Sequence, residues 1–291
     1  MWPDPAAGPR LAALALDTPQ QGLAGDAADA LAAGGGADVV ARLVAIAARD
    51  EFRVRRRAVA ALAFVGRDRA LRTRARRALG DLAAEGDPRI VEAALRALGE
   101  IATKEDAATF LAYAEDRDML VRQRAIEGLA SVATHDLLAH LVAGLSDPFT
   151  PVVAAAAQGL ERLADPGSVA ALGAYLDGPD RGAADAAMTA LAAIGDPAAV
   201  RHITPYLFDR DGYLRVSAAR ALGRIGDPSA LPHLDRALDT ELINARTAVL
   251  DALAAFGPKA ARLRSRLERI SRQDDLDPRV AKAVGRALAA L

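Results

Sequence analysis

The chain has 291 residues and a formal net charge of −1, so its overall charge gives no indication of nucleic acid or a membrane surface as a partner. It contains no cysteine, which excludes disulfides, thiolate nucleophiles and cysteine-bound metals. Aromatic residues make up only 4% of the chain, which is low for one globular core of this length and typical of alanine-rich helices that pack closely.

The amino-terminal residues carry no pattern of a targeting signal. Met1–Pro5 lacks the basic start of a signal peptide, and the most apolar early stretch, Val39–Ala48, is interrupted by Arg42. No segment has the length and hydropathy of a membrane span. We therefore expect a cytoplasmic protein without a membrane partner. Residues 1–17 are predicted to form a loose tail with a capping helix at 10–16.

A leucine recurs every 31 residues through the middle of the chain. The column comprises Leu98, Leu129, Leu160, Leu191, Leu222 and Leu253, and it extends to Leu62 and Leu31 on one side and to Leu288 on the other. Apolar residues also recur four and eight positions before each leucine, and these offsets mark one face of an α-helix. The pattern predicts eight helix pairs followed by a single closing helix.

A second helix in each unit has its own apolar column. This column comprises Phe110, Leu141, Leu172, Ile203 and Leu234. The turn between the two helices is marked by Gly195-Asp196-Pro197 and by Gly226-Asp227-Pro228, where glycine ends one helix, aspartate caps the next and proline fits its first turn. No alternating strand pattern competes. The chain is thus predicted to be all-α, with residues 18–291 forming a single repeat solenoid.

The run DGYLRVSAARALGRIGDP, from Asp211 to Pro228, resembles the short HEAT repeat of the phycobilisome-lyase type. The similarity covers residues 18–291. The resemblance implies an α-solenoid, or superhelix, with the first helices on the convex side and the second helices lining a concave groove. Such repeats occur in scaffolds, in chaperone-like lyases and in enzymes, so the resemblance leaves the function open.

The residues used by enzymes with related repeats are absent. Deoxyhypusine hydroxylases hold iron through His-Glu dyads, and none of the four histidines here precedes a glutamate. Helical-repeat DNA glycosylases rely on aromatic residues around the lesion, and the only tryptophan is Trp2. There is also no phosphate-binding loop and no serine nucleophile motif. We expect a non-catalytic protein with no metal and no cofactor.

Arginine is concentrated between residues 49 and 77, where eleven arginines accompany three carboxylates. Residues 78–209 are acidic, with 20 carboxylates and nine basic groups. A basic patch is predicted at Arg53, Arg56, Arg69, Arg72, Arg76 and Arg77. Helical projection places the arginines from position 69 onward away from the apolar stripe of their helix. They are interpreted either as a phosphate- or carboxylate-binding surface or as a solvated helix face.

Tyrosine and histidine recur at two positions of the second helices. The residues are Tyr113, Tyr175 and Tyr206 in one column and His140, His202 and His233 in the other. They predict either a partner-binding ridge on the concave surface or packing between neighbouring repeats. If the ridge binds a partner, the acidic middle units favour a segment that carries basic residues.

Three functions are compatible with the sequence. The first is a non-catalytic scaffold that binds a protein or peptide partner along its concave surface. The second is a nucleic-acid-binding solenoid that uses the arginine-rich segment 49–77. The third, implied only by the resemblance, is a chaperone-like subunit of a tetrapyrrole (bilin) lyase.

Overall fold

The computed structural model describes residues 39–48, 52–178 and 181–291, and every regular element within these ranges is a helix. Two kinds of helix alternate, which we call short and long after most members of each kind, although the short helix Arg72–Ala83 has 12 residues and the long helix Ala184–Ile194 has 11. The short helices are α1 (Val39–Ala47), α3 (Arg72–Ala83), α5 (Ala107–Leu111), α7 (Leu138–Gly144), α9 (Val169–Asp177), α11 (Val200–Ile203), α13 (Leu231–Ala237) and α15 (Arg264–Ser271). The long helices are α2 (Phe52–Val65), α4 (Pro88–Ile101), α6 (Met119–Val132), α8 (Thr150–Leu163), α10 (Ala184–Ile194), α12 (Gly212–Ile225), α14 (Ile243–Phe256) and α16 (Pro278–Ala290).

Turns of 3-10 helix adjoin most of the short helices. They are Lys104–Asp106, His135–Leu137, Pro166–Ser168, Pro197–Ala199, Thr204–Phe208, Pro228–Ala230 and Gly257–Leu263. Several begin at a proline, which fits the first position of a helical turn because it has no amide hydrogen to donate. The short layer is therefore built from interrupted helices, whereas the long helices run without a break.

The predicted helix pairs are confirmed within the described residues. These contain α1 as the second helix of the first pair, then seven complete pairs, and α16 as the closing helix. The fold is an all-α solenoid, as the periodicity predicted. The helix expected around Leu31, the tail 1–17 and its capping helix at 10–16 lie outside the described residues.

The turns follow the chemistry expected from Gly-Asp-Pro. The Asp196 carboxylate accepts a hydrogen bond from the Ala198 amide at 2.8 Å, and the Asp227 carboxylate accepts one from the Ser229 amide at 2.9 Å. Gly195 has φ +73° and its amide donates to the carbonyl of Leu191, which ends α10. This left-handed conformation is nearly free of strain for glycine, and it stops the long helix at the same place in successive repeats.

The predicted apolar columns form the core. The leucine column from Leu62 to Leu253 and the second column from Phe110 to Leu234 consist of side chains with 0% exposure. Neighbouring long helices approach closely through small residues: a Cβ placed on Gly223 would lie 2.9 Å from the Cα of Ala252. Within each compact unit of the chain, every repeat covers the apolar face of the next, so the core of that unit is continuous.

The chain divides into two compact units, residues 1–134 (unit 1) and 135–291 (unit 2). Within each unit, a long helix packs against the long helices before and after it, and each short helix packs against the long helix that follows. The short helices thus cover one side of the long-helix layer. The other side, which we call the open face, carries exposed residues such as Arg96 in unit 1 and Arg220 and Asp251 in unit 2. No helix in the described part of the chain is long and apolar enough to cross a membrane.

Candidate binding groove

One member of the predicted tyrosine ridge is enclosed by the fold. Tyr206 is 1% exposed, and its hydroxyl donates to the carbonyl oxygen of Leu176 at 2.8 Å. The Tyr113 hydroxyl donates to the carbonyl oxygen of Ala83 at 2.9 Å, which ties it to the end of α3. Burial raises the pKa of Tyr206, because the ionised phenolate would lose its hydration. Tyr113 and Tyr206 therefore bridge successive short helices.

Tyr175 has the same structural role toward a long helix. Its hydroxyl accepts a hydrogen bond from the amide of Ala183 at 2.9 Å, immediately before α10 begins. The ring of Tyr206 is in turn covered by the guanidinium of Arg181, 4.7 Å from the ring centre. Each tyrosine of the column thus makes a hydrogen bond between elements, while Tyr113 and Tyr175 remain half-exposed.

The histidine column is divided between buried and exposed positions. His202 is 8% exposed, with Nδ1 2.8 Å from a carboxylate oxygen of Asp177, while Nε2 accepts from Nε of Arg201 at 2.9 Å. Its ring lies over Gly173, where an added Cβ would come within 2.6 Å of Nε2. His140 and His233 are exposed. The expectation of one accessible ridge is therefore wrong for Tyr206 and His202, since the tight contacts between repeats enclose them.

The hydrogen bond of Tyr206 predicts how removal of its hydroxyl group affects stability. Tyr206→Phe should lower the free energy of unfolding by about 1–2 kcal/mol, because the buried carbonyl of Leu176 loses its partner. Tyr213→Phe is the matched control: it also removes a hydroxyl that donates a hydrogen bond, to Asp185, but Tyr213 is 60% exposed and water can replace the lost partner, so its change should stay within about 0.5 kcal/mol. Urea denaturation of both variants measures the difference. Equal stability of the two would contradict a structural role for the Tyr206 hydroxyl.

The predicted basic patch is also divided. The Arg76 side chain is 10% exposed and binds the Asp106 carboxylate at 2.6 Å and the Glu105 carboxylate at 3.1 Å. Arg72 donates to the carbonyl oxygens of Gly66 and Arg67 and so caps the end of α2. These two arginines are part of the framework of unit 1, because their donors already have acceptors in the protein.

The other four predicted arginines are exposed, but they lie on two different helices and a turn. Arg53 and Arg56 are on α2, Arg69 precedes α3, and Arg77 is on α3. Of these, Arg77 lines a small cavity of about 250 Å³, which it shares with the carboxylates of Asp81 and Glu85. The cavity is thus mixed in charge, and it lies on the short helices.

A larger groove lies on the open face of unit 2. It has a volume of about 800 Å³ and is formed by α12, α14 and the start of α16. Its lining includes Tyr213, Val216, Arg220, Leu242, Asn244, Thr247, Asp251 and Arg279. We call this the long-helix groove. The resemblance implied a groove on the second helices, but in unit 2 the long-helix groove lies on the first helices, because the short helices cover only the opposite side of that layer.

Hydrogen bonds hold the long-helix groove in shape. The Tyr213 hydroxyl donates to a carboxylate oxygen of Asp185 at 3.0 Å, and the Ser217 hydroxyl donates to the other oxygen. The hydrogen bond to Asp185 raises the pKa of Tyr213, because the carboxylate disfavours a second negative charge beside it. Asp185 is on α10, so one carboxylate joins α10 to α12 beside the groove.

The charged groups of the groove differ in how they are paired. The Asp251 carboxylate forms an ion pair with Arg286, and Arg279 pairs at 3.2 Å with Asp277 at the start of its own helix. Arg220 is exposed and has no ion-pair partner among the described residues. Its guanidinium is therefore available to an acceptor that comes from outside the protein.

The sequence pattern did not indicate this groove. Its residues lie on the polar stripe of the first helices, where the repeat carries a different side chain in each unit: Arg220 corresponds to Thr189 one repeat earlier and to Asp251 one repeat later. Residues that recur in every repeat mark the core, whereas positions that differ between repeats form no such pattern in the sequence. The one available signal was Tyr213, the only tyrosine outside the second-helix column.

Nothing in the described part of the chain provides an evident metal centre. No group of three or more histidine, aspartate or glutamate side chains there is arranged to hold a metal ion. The one buried histidine, His202, already has partners on both ring nitrogens.

A profile described as HEAT repeats matches residues 40–130, 75–161, 138–211 and 201–289. The matched segments overlap and extend over most of the chain. The profile covers HEAT repeats in general, and the finer resemblance to the phycobilisome-lyase type stays a prediction. No curated protein sequence matches the chain.

Solved structures with similar folds include three of very different origin. An engineered protein is 21% identical, with a TM-score of 0.58 over 97% of this chain and 88% of its own. The YibA protein of Escherichia coli is 16% identical, with a TM-score of 0.65 over 88% of this chain and 98% of its own. Importin beta is 14% identical, with a TM-score of 0.68 over 98% of this chain and 45% of its own. Identities this low establish the fold alone.

Proposed function

The chain belongs to the HEAT-repeat family, and on that premise we propose that it is a non-catalytic scaffold that binds a protein or peptide partner on the open face of its long helices. The observation that carries the proposal is the long-helix groove. Two large apolar side chains, Tyr213 and Leu242, are 60% and 44% exposed at the start of adjacent long helices. Exposed apolar surface surrounded by polar groups is typical of a protein interaction site.

The rigidity of the groove also supports binding. Tyr213 is held by Asp185, and the groove is formed on continuous helices instead of on loops. A partner that binds such a surface loses its own freedom but orders little of the scaffold, so more of the contact energy is retained as affinity. Tyrosine is moreover enriched among the residues that dominate binding energy.

The polar groups of the groove support binding over catalysis. The Thr247 hydroxyl donates to the carbonyl oxygen of Ile243 at 2.7 Å, and Asp251 is engaged by Arg286. A nucleophile must lie within hydrogen-bond reach of a general base, and the Thr247 hydroxyl and the Asp251 carboxylate are each directed to other partners. The Tyr213 hydroxyl does donate to Asp185, but this hydrogen bond raises the pKa of Tyr213 and so disfavours a phenolate nucleophile.

Site-specific photo-crosslinking tests the proposal. A benzoylphenylalanine introduced at position 213 or 242 should form a covalent adduct with a partner protein in cells, because both side chains line the groove. The matched control is the same amino acid at Ala170, which is exposed on α9 in the short-helix layer of unit 2. Denaturing gels and mass spectrometry of the adducts measure the outcome. Adducts at position 170 but not at 213 or 242 would contradict the proposal.

Two other hypotheses have tests of their own. Nucleic-acid binding through the segment 49–77 is supported by the exposure of Arg53, Arg56, Arg69 and Arg77. If it operates, labelled DNA or RNA should bind at low salt and dissociate as salt rises. The bilin-lyase hypothesis predicts that a bilin is retained when the protein is purified from cells that make one.

A further inference from the structure

The charged groups at the long-helix groove indicate which kind of partner segment it binds. Among the described residues, three exposed cations on the open face of unit 2 have no ion-pair partner: Arg220 and Arg224 on α12, and Lys282 on α16. Arg220 and Arg224 are four residues apart on one helix and so lie on the same side of it. Arg220 also lines the groove itself, beside Tyr213 and Val216.

Two carboxylates of the same face already have partners within the protein. Asp251 is paired with Arg286, and both oxygens of Asp185 accept hydrogen bonds from hydroxyl groups. A partner that approaches this face therefore meets three cations without ion-pair partners, next to two carboxylates that are already engaged by other side chains of the protein. A guanidinium in such a position is best matched by a carboxylate, which accepts two of its hydrogen bonds side by side.

Apolar surface lies next to the unpaired cation. Val216 is one helical turn from both Tyr213 and Arg220, and Leu242 lines the same groove from the start of α14. A ligand that fills the groove must consequently present an apolar side chain close to a negative charge. A single short segment of protein can supply both.

We infer that the long-helix groove binds an acidic peptide segment of a partner protein, with a carboxylate on Arg220 and an aliphatic or aromatic side chain against Tyr213, Val216 and Leu242. The inference rests on the proposed function and specifies its partner. The basic segment expected from the sequence concerned the acidic units 78–209 and the ridge on their second helices. The long-helix groove lies instead in the carboxyl-terminal part, 210–291, where 15 basic residues accompany 10 acidic ones.

A nucleic acid fits the same groove less well. Single strands are usually held by a row of stacked aromatic side chains, and Tyr213 is the one aromatic residue in the lining. A peptide can place a single carboxylate on Arg220 and an apolar side chain against Val216 and Leu242. A nucleic acid presents a continuous row of phosphates, which matches this lining less well.

Selection from a displayed library of random short peptides tests the inference. The wild-type protein should enrich peptides that combine aspartate or glutamate with at least one large apolar residue. A labelled copy of the best peptide should bind Arg220→Glu at least about tenfold more weakly, since reversal replaces an attractive contact by a repulsive one. Arg269→Glu, which makes the same change of charge at an exposed position on α15, should bind as the wild type does.

The other outcomes overturn the inference. Enrichment of basic peptides, equal weakening by the two reversals, or no groove-dependent binder would each contradict it, and so would a mixed-sequence DNA that binds the wild type but not Arg220→Glu. Self-association lost in Arg220→Glu would show that the occupant is a second copy of the chain. Photo-crosslinks from position 213 to a basic segment of a partner would contradict the inference that the bound segment is acidic. They would still support the proposed scaffold function.

Discussion

Leu222→Asp should lower the free energy of unfolding of unit 2 by about 4 kcal/mol or more, because it places a carboxylate where the structure provides no partner. Leu222 is 0% exposed and belongs to the leucine column that joins successive long helices. A loss of this size is a large part of the stability of an ordinary domain, typically about 5–15 kcal/mol. Circular dichroism in the far ultraviolet should therefore show a loss of helix, and urea denaturation should show a lower midpoint.

The same helix offers a matched control for Leu222→Asp. Arg224→Asp introduces the same carboxylate on α12, two residues away and at an exposed position. It should change the free energy of unfolding by no more than about 0.5 kcal/mol, as surface substitutions usually do. If the two variants unfolded at the same urea concentration, the leucine column would not be the continuous core described above.

Gly128→Ala should destabilise unit 1 by about 3 kcal/mol, although alanine is the better helix former. A Cβ at position 128 would lie 2.2 Å from Cδ1 and Cε1 of Phe110. The Phe110 ring is 0% exposed and is enclosed between α5 and α6, so it cannot move aside without opening the core. The midpoint and slope of urea denaturation measure the effect.

Gly80→Ala is the matched control for Gly128→Ala within unit 1. Gly80 lies inside α3, and the nearest atom to its added Cβ is Oγ1 of Thr109 at 4.0 Å. Here alanine should raise stability by about 0.5–1 kcal/mol, because it restricts the unfolded chain without a clash. Adding Phe110→Leu to Gly128→Ala should recover part of the loss by making room for the methyl group. Equal effects of the two glycine substitutions, or no recovery in the double variant, would show that the ring contact is not what requires glycine at position 128.

The sequence determined the fold to the level of individual helix pairs. Positions such as Leu222 and Phe110 recur at fixed spacing, because every repeat must bury the same face against its neighbour. The Gly-Asp-Pro turns could be located for a similar reason: glycine at a left-handed position and aspartate at a helix start each satisfy a local requirement of the backbone. Such local rules can be applied without knowledge of distant contacts.

The location of the proposed binding surface depends on the tertiary structure. Tyr206 and Tyr213 are both tyrosines close to a helix start, yet one is enclosed between repeats and the other lies in the groove, because the short helices cover only one side of the long-helix layer. Likewise Arg76 and Arg220 look alike in the sequence, but Asp106 engages the first and no described carboxylate pairs with the second. Whether a side chain is available depends on which neighbours the fold brings to it, and those neighbours lie about 30 residues away in the chain, as Asp106 does from Arg76.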